Sequence, residues 1–164
     1  VTRVHPEYVL KENLPHINKV SDITPEFWEK RFREIRHFEK TLAENGTIIF
    51  KFFMNISKEE QRHRLLRRLN KPDKNWKFSP DDLQERNLWN KYRDCYQDAI
   101  NNTSEEWAPW YTIPSDDKVT SRYLVTKILH EDLQKKYPDV KEPELAPEIK
   151  KHLDEYKEEL RKEK

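Results

Sequence analysis

Residues 47–55 read TIIFKFFMN and are almost continuously β-branched or aromatic. A run of that length and composition predicts a strand buried on both faces, as in a parallel sheet. Upstream, Thr24-Pro25-Glu26 supplies a cap, a proline suited to the first helical position and an early acid. The helix it opens carries Trp28, Phe32, Ile35, Phe38 and Leu42 on one face and stops at Asn45-Gly46. Downstream, Ser57-Lys58-Glu59-Glu60 has the capping-box pattern and predicts a helix to about Leu69. Residues 70–78, which include Pro72, predict a loop. Ser79-Pro80-Asp81-Asp82 then restarts a helix, with Glu85, Trp89, Tyr92, Tyr96 and Ile100 on one face as far as Asn102.

A second short strand is expected in APWYTIP, residues 108–114, followed by a helix capped at Ser115-Asp116-Asp117. The order helix, strand, helix, helix, strand, helix reads as α/β with parallel strands. Two strands are too few for a stable sheet, so the chain is expected to supply only part of one. Residues 1–23 predict irregular structure. Residues 138–164 predict a linker and a charged amphipathic helix with a narrow stripe of Ile149, Leu153, Tyr156 and Leu160.

Composition narrows the function classes. The 164 residues suit one domain or most of one, and the aromatic residues supply core bulk. The lone Cys95 rules out an internal disulfide, points to a reducing compartment and reads as a small core residue. No apolar run reaches the roughly 20 residues of a membrane span, so a cytoplasmic protein is expected, without membrane contact. The single glycine, Gly46, stands where average usage predicts about eleven, which excludes a Gly-rich phosphate loop within these residues. The six histidines lack metal-ligand spacing.

Positive charge is concentrated in one place. Between Lys58 and Lys77 eight Lys or Arg face three acids, in a chain whose net charge is only +1. Such a local field argues for an anionic ligand bound at one site, with a solvated, salt-bridged helix face as the plainer reading. On a helical wheel Arg64, Arg67 and Arg68, with Lys71, fall within about a 100° arc, beside an arc of Leu65, Leu66 and Leu69. Arginine suits phosphate because its planar fork donates two parallel hydrogen bonds, and Lys74 and Lys77 on the following loop extend the field. Glu60 is placed to pair with Arg64. Trp76 is read as anchoring the loop in an apolar seat, with stacking on a base as its other use. Asp116 and Asp117 are read as helix caps before metal ligands, and Lys118 lies just past a strand's carboxyl end, where open α/β sheets bind ligands.

The succession VTRVHPEY, FWEKRFREIRHFEK, NGTIIFKFFMNISKEEQRHRLLRRL, NWKFSPDDLQERNLWNKY and APWYTIPSDDK resembles the carboxyl-terminal half of the polyphosphate kinase 2 family over residues 1–135. The resemblance implies a P-loop kinase-like three-layer α/β/α fold with a helical lid at about 57–102, within a domain portion spanning 1–137. It implies Mg²⁺-dependent phosphoryl transfer between inorganic polyphosphate and a nucleoside mono- or diphosphate. ADP and ATP are the expected nucleotides, AMP and guanine nucleotides are further candidates, and a homo-oligomer is expected. Arg64 and Arg68 match lid arginines and are the expected catalytic residues. Lys77 matches the WKF lysine and Lys118 the DDK lysine, and Arg67, Lys74 and Arg3 complete the expected phosphate-binding set. The family's Walker A and B segments, with their Mg²⁺-binding acids, match nothing in this sequence, so no metal ligand is expected in it and alone it is expected to be inactive. Two other classes fit the same basic helix: a non-catalytic module binding nucleic acid or a partner protein, and a nucleotide kinase using ATP.

Overall fold

The structure is a computed structural model and describes residues 1–141 and 143–162. Strand β1, Lys51–Asn55, pairs in parallel with β2, Trp110–Pro114, in the register Lys51 to Trp110 through Asn55 to Pro114. Four helices belong to the same compact unit: α1, Pro25–Glu44; α2, Lys58–Leu69; α3, Asp81–Asn87; and α4, Trp89–Thr103. The chain divides into units Val1–Thr126 and Lys127–Lys164, and the division falls within α5, Lys118–Lys136. Among the described residues no helix is long and apolar enough to cross a membrane.

The parallel α/β arrangement matches expectation, but both strands are shorter than predicted. Residues 47–50 lie outside β1, and Ala108 and Pro109 lie outside β2. A ladder is only as long as its shorter partner. Ala108 is held in an antiparallel bridge to Glu105, its N–H donating to the Glu105 carbonyl at 3.0 Å, and Pro109 has no N–H to offer. Nor is β1 buried on both faces: Phe52 and Phe53 are half-buried and Met54 is exposed. Among the described residues β2 is its one sheet neighbour, and the Tyr96 ring of α4, 4.8 Å from that of Phe53, covers part of one face.

Helix α1 ends as predicted. Gly46, at φ +87°, turns the chain, and Thr47 donates to the Leu42 carbonyl at 3.0 Å in a Schellman-type stop. Its predicted apolar face is only partly core: Phe32 is buried, while Ile35 and Phe38 are exposed. Helix α4 packs against α1.

The core instead takes in the segment expected to be irregular. Val4 and Val9 are its largest fully buried side chains, and Pro6–Glu12 forms a 3-10 run. Lys91 of α4 donates to the Val4 carbonyl at 2.6 Å, and Arg3 pairs with Asp98. Lys51 and Glu39, with side chains 11% and 14% exposed, form a 2.6 Å ion pair that links β1 to α1.

Two further differences concern helices. The predicted continuous helix over 79–102 is broken at Leu88, where a tight turn donates to the Glu85 carbonyl at 3.0 Å and separates α3 from α4. The predicted loop 70–78 contains a 3-10 turn, Pro72–Lys77. In the second unit the charged tail is likewise divided into α6, Pro147–Lys151, and α7, Leu153–Lys162, and Ile149, Tyr156 and Leu160 of its stripe are exposed.

Candidate functional site: a cationic face at the strand ends

Past the carboxyl ends of both strands lies a cleft of about 520 Å³, lined by Ser57 and Lys58 after β1, Ser115 and Asp117 after β2, and Trp89 and Arg93 of α4. This is where open parallel sheets present loops and helix starts to a ligand. The loops here are cross-linked. Ser57 caps α2 by accepting from the Glu60 N–H at 3.0 Å, as the sequence pattern predicts. The reciprocal half of the capping box is replaced: the Ser57 N–H donates to Asp116 Oδ1 at 2.7 Å. Asp117 accepts from the Thr120 N–H at 2.7 Å and so caps α5. The Ser57 N–H holds the Asp116 carboxyl below the usual carboxylate range, and the Thr120 side chain, with its N–H, does the same for Asp117.

The arginines of α2 divide into different states. Arg64 donates to Glu60 Oε1 at 2.7 Å and to the Ser115 carbonyl at 2.6 Å, which ties α2 to the loop after β2. Arg68 lies 3.8 Å from Asp82. Arg67 is exposed and, among the described residues, has no carboxylate partner. Of the neighbouring leucines only Leu65 is buried. Lys118, at the start of α5, titrates below the usual lysine range because Arg67 lies close by, reinforced by burial and by the charges of Arg64 and Arg122. The bond from Arg64 to the Ser115 carbonyl brings the α2 face that carries Arg67 to the loop leading into Lys118.

Other expected residues are placed differently. Lys74 and Lys77 lie on the turn after α2, and the Lys77 ammonium sits 4.9 Å above the Trp76 ring. Trp76 has no apolar seat: it is 78% exposed, and its ring N–H donates to the Asp73 carbonyl at 3.1 Å. Arg3 lies against the rings of Trp28 and Phe32 and pairs with Asp98, on the side of α4 that faces α1.

A polar network beside the cleft was not anticipated. Glu85 accepts from Tyr92 Oη at 2.6 Å and bonds His5 Nε2 at 3.0 Å. The tyrosine and histidine bonds lower the Glu85 pKa, burial raises that of Tyr92, and the Glu85 bond raises that of His5. The available signal was a carboxylate, Glu85, standing in an otherwise aromatic helical stripe, since a charge at such a position needs a partner.

Among the described residues no group of three or more His, Cys, Asp or Glu is arranged to hold a metal ion. Asp116 and Asp117, the acids nearest the cleft, are engaged as caps, so these residues do not fit a magnesium site.

A parallel strand pair joined through a helical crossover, with cations facing the strand ends, defines an α/β fold of the P-loop kinase type. The chain belongs to the polyphosphate kinase 2 family, whose model matches residues 13–141. It is 40% identical to an ADP-polyphosphate phosphotransferase of Rhodopseudomonas palustris, over 99% of this chain and 54% of that protein. It is 45% identical to an AMP/ADP-polyphosphate phosphotransferase of Meiothermus ruber, over 89% of this chain and 53% of that protein. The crystal structure of polyphosphate kinase 2 from Arthrobacter aurescens superposes with a TM-score of 0.75 at 34% identity, covering 93% of this chain and 49% of the other. The chain thus spans about half the length of these relatives.

Proposed function

We propose that this chain carries the cationic, lid-bearing part of a phosphotransferase that moves a phosphoryl group between inorganic polyphosphate and a nucleoside mono- or diphosphate. The observation that carries the reading is the bond from Arg64 of α2 to the Ser115 carbonyl, which brings the cationic face of that helix to the loop leading into Lys118, past the carboxyl ends of both strands. Arg67 and Lys118, which have no carboxylate ion-pair partner among the described residues, suit a polyanion that arrives from solution.

Phosphoryl transfer through a loose transition state requires positioning and neutralisation of charge more than a covalent nucleophile. Arg67 and Lys118 supply fixed positive charge, with Arg68, Lys74 and Lys77 extending it along α2 and the turn after it. Arg64 contributes in another way: its bonds to Glu60 and Ser115 fix α2 against the loop after β2, and so set where Arg67 stands. Residues 57–102 form the lid in this reading, and its basic side shields the transferring group from water. Magnesium would enter as the counter-ion of the two substrates.

The deciding experiment is formation of ATP from ADP and polyphosphate, with Mg²⁺, by the natural full-length protein. Product is expected with polyphosphate as donor. No product from folded protein, or efficient transfer only when another nucleoside triphosphate replaces polyphosphate, rejects this reading.

A further inference from the structure

Helix α5 begins at Lys118, and Arg122 follows four residues later, one turn on along the same face. The two positions are separated by about 6 Å of helical rise. Helix α2 is tied to the loop that leads into α5 by the bond from Arg64 to the Ser115 carbonyl at 2.6 Å, and Arg67 follows Arg64 by three residues. Among the described residues, none of these three cations pairs with a carboxylate, and Arg122 is exposed.

The nearby acids are already engaged. Glu60 is the acid whose charge opposes the cations at Lys118, and it is bound to Arg64 at 2.7 Å. Asp116 accepts from the Ser57 N–H and Asp117 from the Thr120 N–H. Cations placed together in this way repel, and nothing in the packing of α5 requires an arginine at an exposed position one turn after Lys118. Ser121, beside it, is the buried residue of that turn, donating to the Lys118 carbonyl at 3.1 Å.

We propose that Arg122 binds the phosphate chain: with Lys118 it forms a fixed anion-binding edge on α5, and polyphosphate lies along that edge, between it and Arg67. The proposal rests on the polyphosphate reading given above and adds to it a residue outside the 57–102 lid. It also divides the site into two parts, a basic edge on α5 and a basic face on α2, which one extended anion bridges. Arg122 contributes a planar fork able to hold two oxygens of one phosphate, whereas Lys118 contributes a point charge.

The test uses the natural full-length protein, with binding of inorganic polyphosphate and of ADP measured separately by calorimetry for the parent, Arg122→Gln and Arg122→Lys. The glutamine variant is expected to bind polyphosphate about tenfold more weakly, the loss of one charge-assisted contact. The lysine variant should fall between, having the charge but not the fork. ADP affinity and melting temperature should stay at parental values, and the salt dependence of polyphosphate binding should drop by about one ion. Unchanged polyphosphate affinity, equal weakening toward both ligands, or a loss confined to ADP overturns the assignment. The two readings fail separately. A parent that transfers no phosphate, with Arg122→Gln still tenfold weaker for polyphosphate, removes the reaction and keeps the site. An active parent whose glutamine variant binds polyphosphate normally does the reverse.

Discussion

The amino-terminal segment and the gap between α2 and α5 treat charge in opposite ways. In the first, cations meet acids or carbonyls: Arg3 meets Asp98, His5 meets Glu85, and Lys91 meets the Val4 carbonyl. In the second, Arg67, Lys118 and Arg122 have no carboxylate partner among the described residues. A matched charge holds two elements in register, whereas an unmatched one adds repulsion that a ligand can relieve. The contrast separates structural cations from candidate binding cations within one chain, and substitutions should separate them too.

The largest effect is expected at a matched pair. Lys51→Ala strands Glu39 in a mostly buried setting and should cost about 3 kcal/mol, read as a drop in the urea midpoint. Replacing both partners, as Lys51→Met with Glu39→Leu, should recover most of that loss. A small effect of the single change would show that matching is not what holds β1 to α1.

Next comes the unmatched side. Arg67→Gln should raise the half-saturating concentration of polyphosphate about tenfold while leaving the unfolding midpoint in place or slightly higher. A clear fall in stability would move Arg67 into the structural group and erase the contrast.

Ser57→Ala removes the cap that starts the basic helix and should cost about 1 kcal/mol. Hydrogen exchange should quicken most at the first turn of α2, which isolates the scaffold of the cationic face from the charges it carries.

The smallest effect concerns pH. The Glu85 bond raises the His5 pKa above its ordinary 6.5 against the opposing effect of burial. This link is fully stabilising below about pH 6.5 and is lost as pH rises through the raised value. The stability advantage of the parent over His5→Gln should therefore be larger at about pH 5.5 than at about pH 8.5. A pH-independent difference would show that the His5 contact acts through packing alone.

Much of the frame was legible in the sequence because periodicity and caps are local signals. The starts of α1 and α2, the stop at Gly46 and the parallel strand pair all follow from residues within a few positions of one another. What was illegible depends on distant partners. Val4 and Val9 sit in a 3-10 segment with no amphipathic period to mark them as core. The length of β1 was set by β2 and by the turn that precedes it. The wheel placed Arg64 and Arg67 on one face but was silent on which would be matched, since the Ser115 carbonyl is supplied from 51 positions away.

The bond from Ser57 to Asp116 joins residues 59 positions apart, and it completes the start of the basic helix. During synthesis the amino-terminal turn of α2 leaves the ribosome long before the acceptor that finishes it. The helix is consequently expected to stay frayed at that end until β2 and the loop beyond it emerge and dock, so its cationic face would be assembled as one of the last events in the folding of this unit.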